Sequence, residues 1–144
     1  MRRCLDDEKV SVVSVGVRNI SAGEVAFLEK NKKRVKIFWA KDKKNWKTAE
    51  IVRVLGNSPV YISFDLDCFD PSLLPATGTP EPAGLWWDEV MAIIRAAAKT
   101  KKIIGADIVE LAPIKNLPSS DFVAAKLGYK ILSYALNGKG KKGK

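Results

Sequence analysis

Apolar positions along this chain switch between the period of a strand and the period of a helix. Val10 to Val17 alternates and then runs apolar, which predicts a strand. Ser21 followed by Glu24 has the spacing of a capping box and predicts a short helix to about Glu29. Val35 to Trp39 predicts a second strand. Asn45 to Leu55 predicts a helix, closed by the turn residues Gly56-Asn57-Ser58-Pro59. Val60 to Leu66 is a third strand. The prolines and glycines at 71, 75, 78, 80, 82 and 84 then punctuate a long structured loop. Apolar residues at 87, 90, 91, 94, 97 and 98 predict a helix from Trp86 to Lys99. Ile103 to Val109 is a fourth strand. Pro113 and Pro118 bound a second irregular stretch, and Asp121 to Leu136 predicts the last helix, with Gly138 just beyond it. Strands alternating with helices argue for a mostly parallel sheet covered by helices on both faces.

The third strand carries acids where none should be free. Ser63-Phe64-Asp65-Leu66-Asp67-Cys68-Phe69-Asp70-Pro71 places three carboxylates in an apolar run. Side chains alternate along a strand, so Asp65 and Asp67 are expected on one side, their backbones about 6–7 Å apart. Isolated buried carboxylates are costly, and a pair facing the same way at a strand end calls for a cation. Parallel sheets place ligands beyond the carboxyl ends of their strands. Glu110, directly after the fourth strand, belongs to the same end.

Composition narrows the chemistry. The 144 residues contain no histidine, so no imidazole can act as metal ligand, acid or base. A hydrophobic fraction of 47% suits one folded domain and excludes a disordered chain. No apolar run reaches the roughly 18 residues of a membrane helix, and no apolar leader opens the chain. Cys4 and Cys68 have no metal-site spacing. Reduced thiols and a cytoplasmic location are the expectation. The net charge of +9 concentrates in Lys32 to Lys47 and in the tail after Gly138. No nucleic-acid-binding signature accompanies it, so a solvated lysine face is preferred over a nucleic acid partner. The tail, residues 138–144, is read as a mobile basic extension.

Two stretches together resemble the ureohydrolases, the arginase and agmatinase family. One is Ser63 to Asp67, continued by Asp70-Pro71, Pro75-Ala76-Thr77-Gly78-Thr79-Pro80-Glu81-Pro82 and Gly84-Leu85. The other is Gly105-Ala106-Asp107-Ile108-Val109-Glu110-Leu111-Ala112-Pro113 at the expected distance downstream. The resemblance covers nearly the whole chain, residues 1–137, but only the C-terminal portion of a family member. It implies a three-layer α/β/α fold of the arginase/deacetylase type, incomplete on its N-terminal side. It implies that Asp65 bridges two Mn2+ ions and that Asp67 ligates one of them. Thr79 and Glu110 would line the guanidinium pocket, with Glu110 as the catalytic anion paired to the planar cation. Asp70 and Asp107 would support these groups. A hydroxide held by both metals would attack the guanidinium carbon, giving urea and an amine.

Departures from the family pattern limit what can be carried over. The upstream histidines and aspartates that complete the metal sphere are not in this chain, and two aspartates cannot hold two Mn2+ ions. Ala83 stands where a glycine is common. Trp86 stands where Ser or Thr would cap the next helix. Thr79-Pro80-Glu81-Pro82 is worded more like agmatinases, which convert agmatine to putrescine and urea, than like arginases. Arginase or another guanidino-acid hydrolase is the alternative, as is a catalytically silent fragment or structural partner of a split ureohydrolase. The expected partners are a small guanidino substrate and either further copies of the chain or a missing N-terminal portion, with no membrane. An Asp-x-Asp phosphatase of the haloacid dehalogenase type is disfavoured, because Phe69 stands where that motif has Thr.

Overall fold

The computed structural model describes residues 2–138, so the lysine-rich tail call lies, apart from Gly138, outside the described residues. Four strands and four α-helices alternate: β1 (Val12–Val17), α1 (Ala22–Asn31), β2 (Val35–Trp39), α2 (Thr48–Val54), β3 (Val60–Asp65), α3 (Trp87–Thr100), β4 (Ile103–Val109) and α4 (Pro118–Asn137). The bounds of β2 and β4 coincide with those expected from periodicity.

The sheet is not continuous. β1 pairs with β2 and β3 with β4, both in parallel, and among the described residues no ladder joins the two pairs. Both pairs run parallel, as expected for the mostly parallel sheet of an α/β fold. Helices lie on both sides of the strands. α1 sits over Val35, Ile37 and Trp39, with Val25 and Leu28 facing them across a cavity of about 320 Å³. Phe38, on the opposite face of β2, meets Trp46 edge-on at 6.1 Å. Trp46 packs on the core that β3 shares with α3 and α4.

That core is built from Phe64 and Leu66 at the end of β3, Phe69, Leu74 and Leu85 of the long loop, Val90, Met91 and Ile94 of α3, and Ala124, Leu127 and Ile131 of α4. Phe69 stacks on Trp87 with ring centroids 6.4 Å apart. The loop after β3 is thus held from beneath by apolar burial. Asp70 ties it from within: its two carboxylate oxygens accept from the backbone N–H of Ser72 at 3.0 Å and of Gly84 at 3.1 Å. A Cβ on Gly84 would come within 2.5 Å of the Phe69 and Asp70 backbone, so only glycine permits this closure.

Three local expectations need correction. Asn45 to Leu55 is not one helix: a 3₁₀ segment covers Ala40–Asn45, Trp46 and Lys47 are extended, and α2 starts at Thr48. The last helix begins at Pro118 rather than near Asp121, since proline in the first turn forgoes only an N–H that has no intrahelical partner. The missing cap at Trp86 is compensated by Glu89, whose carboxylate accepts from the Trp86 N–H at 2.7 Å and also receives Lys43 Nζ at 3.2 Å.

Leu127 is fully buried, whereas Leu132 on the opposite side of α4 is exposed. Leu127→Ala is expected to cost about 2–5 kcal/mol of stability, and Leu132→Ala no more than about 0.5 kcal/mol. Chemical denaturation of the two variants checks this difference.

Candidate metal and guanidinium site

The acidic motif does not continue as a strand. β3 ends at Asp65, and Leu66–Cys68 form a single 3₁₀ turn. The turn is made by the motif itself: Asp65 Oδ1 accepts the Asp67 N–H at 2.9 Å, a local bond that competes with further strand pairing. The expectation that Asp65 and Asp67 share one strand face is therefore corrected. They stay adjacent across a turn at the carboxyl end of β3. Asp65 carries a raised pKa. Partial burial is the main cause, opposed by the bond from the Asp67 N–H, while the neighbouring Asp67 charge adds to the rise and Arg18 opposes it.

Asp67 is the more confined of the two. Its Oδ2 accepts the hydroxyl of Thr79, and its Oδ1 is buried with no hydrogen-bond partner. Orphaned carboxylate oxygens of this kind are uncommon and call for an explanation. Thr79 arrives on the long loop, and Gly78 brings that loop beside Glu110: a Cβ on Gly78 would lie 3.9 Å from Glu110 Oε2. The Ala112 N–H donates to the Ala76 carbonyl at 2.8 Å and fixes the same approach. Glu110 has a left-handed backbone with φ of 67°, unusual for a non-glycine residue and typical of positions held for function. Asp65, Asp67, Thr79 and Glu110 therefore all occur around the carboxyl ends of β3 and β4. Asp107 lies deeper, accepting from the Ser63 hydroxyl at 2.8 Å.

Arg18 is the residue the sequence reading missed. Its guanidinium donates to the carbonyls of Gly16 and Cys68 at 3.2 Å each and to the carbonyl of Asp67. Its Nε is buried without a partner. It thereby joins the end of β1 to the turn that carries Asp67. The available signal was a basic residue placed directly after a strand at the ligand-bearing end. Asn19 extends the link, donating to Glu81 Oε1 at 2.7 Å. Cys68, the last residue of the turn, has its thiol pushed up to about 12, chiefly by burial. It stays protonated at neutral pH and offers no thiolate ligand.

The comparisons with known proteins bear on the family and the fold. The sequence profile of the arginase family matches residues 1–133. The chain belongs to the arginase family. Among ureohydrolases of this family, the N(1)-aminopropylagmatine ureohydrolase of Synechocystis is 36% identical over 137 residues, covering 93% of this chain and 44% of that protein. The agmatinase of Chromobacterium violaceum is 49% identical over 77 residues, covering 54% of this chain and 24% of that protein. The agmatine ureohydrolase of Thermoplasma volcanium superposes with a TM-score of 0.79 at 30% identity, over 94% of this chain and 46% of that one. The chain thus spans less than half the length of these relatives, which fits the portion that its motifs indicated.

The residues present fit one side of a binuclear metal centre and not the whole of it. Asp65 and the orphaned Asp67 Oδ1 are suitable carboxylate donors. Among the described residues no group of three or more His, Cys, Asp or Glu side chains could hold a metal. Among them, too, no helix is long and apolar enough to cross a membrane.

The raised pKa of Asp65 has a measurable sign. Above that pKa the folded state holds a carboxylate that partial burial disfavours, while below the ordinary carboxylate range of about 4 the group is neutral in both states. Asp65→Asn should therefore raise the melting temperature at pH 7, and the gain should fade as the pH falls toward about 4. Thermal unfolding monitored by circular dichroism at the two pH values reads it.

Proposed function

We propose that this chain is the guanidinium-facing portion of an agmatinase-like hydrolase, which releases urea and an amine, putrescine when the substrate is agmatine. The observation that carries this reading is the convergence of Asp67, Thr79 and Glu110 at the ends of two parallel strands. In this reading Asp65 and Asp67 are carboxylate ligands to Mn2+. Thr79 orients Asp67 through its hydroxyl. Glu110 receives the planar cation, since a carboxylate matches the forked N–H groups of a guanidinium. Arg18 and Asp70 hold the turn and the loop on which these groups ride. The names of the relatives favour agmatine-type substrates over arginine.

For the chain by itself a second reading is favoured by the same inventory. With no histidine in the sequence and two clustered carboxylates, it lacks both a complete metal sphere and an imidazole for proton transfer. Alone, it is catalytically silent.

The test is urea release with Mn2+ present. The chain alone should release none from agmatine or arginine. Combined with the portion of the Synechocystis ureohydrolase that it does not match, it should release urea from agmatine in preference to arginine. Glu110→Ala should lower that rate about 100-fold, the scale expected when one partner of a buried charged pair is removed, whereas Lys41→Ala should leave it unchanged. Urea from the histidine-free chain alone contradicts this assignment.

A further inference from the structure

We propose that Glu81 is a specificity-determining residue of this site: its carboxylate receives the terminal ammonium of a guanidino amine, and Asn19 holds that carboxylate in place. The inference deepens the functional reading and rests on it. It concerns the end of the substrate away from the guanidinium, for which Asp67, Thr79 and Glu110 provide nothing.

Glu81 is tied to the site from two sides. Its N–H donates to the Thr79 carbonyl at 2.8 Å, closing a three-residue turn around Pro80. Proline fixes its own φ, so the turn is stiff. Thr79 donates its hydroxyl to Asp67. From the other side, Asn19 Nδ2 donates to Glu81 Oε1 at 2.7 Å. Asn19 follows Arg18, whose guanidinium bonds the Asp67 carbonyl. These bonds close a ring through Arg18, Asp67, Thr79, Glu81 and Asn19, so Glu81 is fixed where the long loop meets the end of β1.

Charge and reach point to a cationic ligand. The chain has 25 basic residues against 16 acids, yet among the described residues the ion pairs are Arg3–Asp6, Lys43–Glu89 and Arg53–Glu50, and none neutralises the half-buried Glu81. Arg18, one residue from Asn19, directs its donors to backbone carbonyls instead. The Asn19 amide takes Oε1 and orients the carboxylate, whose Oε2 is left to a ligand. Thr79 and Glu81 are two Cα steps apart, at most about 7.6 Å. The ammonium of agmatine lies roughly 7 Å from its guanidinium carbon when the chain is extended, on bond lengths of about 1.5 Å. A guanidinium beside Thr79 and Glu110 therefore brings the ammonium within range of Glu81. Arginine carries a carboxylate next to its ammonium, which the Glu81 charge repels. Agmatine has none.

The experiment titrates the full chain with agmatine and with butylguanidine, which has the same guanidinium and four-carbon chain but no ammonium, and follows backbone amide shifts by nuclear magnetic resonance. Agmatine should bind at least about tenfold more tightly, the scale of one charge-assisted hydrogen bond. Glu81→Gln keeps an acceptor for Asn19 and removes the charge. Its melting temperature should match the parent, and the affinity ratio of agmatine to butylguanidine should fall to about one. Asn19→Ala should lower the same ratio by a smaller factor. Equal affinities in the parent, no binding of agmatine, or a ratio that Glu81→Gln leaves unaltered overturns the proposal. Hydrolysis is read separately. Urea from agmatine in the completed protein, with an agmatine-to-butylguanidine preference that Glu81→Gln does not alter, removes the role of Glu81 and leaves the functional reading standing. Agmatine binding that depends on Glu81, without urea from the completed protein, supports the role and contradicts only the functional reading.

Discussion

The guanidinium of Arg18 joins the two halves of this structure. Without a ladder between β1 and β3, the carboxyl ends of the two strand pairs are connected by its bonds to the carbonyls of Gly16, Asp67 and Cys68. A planar group with five N–H donors can reach several carbonyls at once, and no other side chain has that geometry. The turn it grips is the one that carries Asp67, so the site inherits its position from this link. Beneath the turn, Leu66 and Phe69 anchor the chain in the α3–α4 core. Apolar burial from below and the guanidinium from the side hold a carboxylate with one unsatisfied oxygen in place.

Keeping such a carboxylate has a stability cost, and its neighbours show how the cost is contained. The Asp65 carboxylate, raised in pKa mainly by burial, accepts the bond that forms the turn. Asp70 instead has a lowered pKa, first from the Ser72 hydroxyl and then from backbone N–H groups, and closes the loop that delivers Thr79. The motif therefore divides its acids. One organises the loop, one shapes the turn, and one keeps a free oxygen. Tolerance of local cost at a binding site, offset by a rigid surround, is the usual pattern of functional positions.

Periodicity in the sequence located the elements whose stability comes from burial. β2 and β4 were legible to the residue because apolar runs bounded by turn residues leave little freedom. The candidate site residues stood out through their motif, and the structure brings Asp65, Asp67, Thr79 and Glu110 to one end of the strands. What stayed hidden depends on side chains acting on the backbone or on distant edges. The apolar pattern runs through Leu66, so nothing signalled that Asp65 would capture the Asp67 N–H and end the strand. The lysine-rich segment before α2 gave no sign of its 3₁₀ turn. The break between β1 and β3 was invisible because hydrophobic alternation says which face is buried and not which edge is paired. Arg18 was overlooked among 25 basic residues because its role appears only when β1 is set beside the turn.

The central proposal is that Asp65 and Asp67 would supply one side of a two-metal site that other groups complete. Mn2+ titration followed by electron paramagnetic resonance tests that claim directly. The account predicts weak binding by the chain alone, lost in Asp67→Ala, and a spin-coupled pair of ions only when the complementing portion is present. Tight binding of two coupled ions by the chain alone, surviving Asp67→Ala, would contradict it.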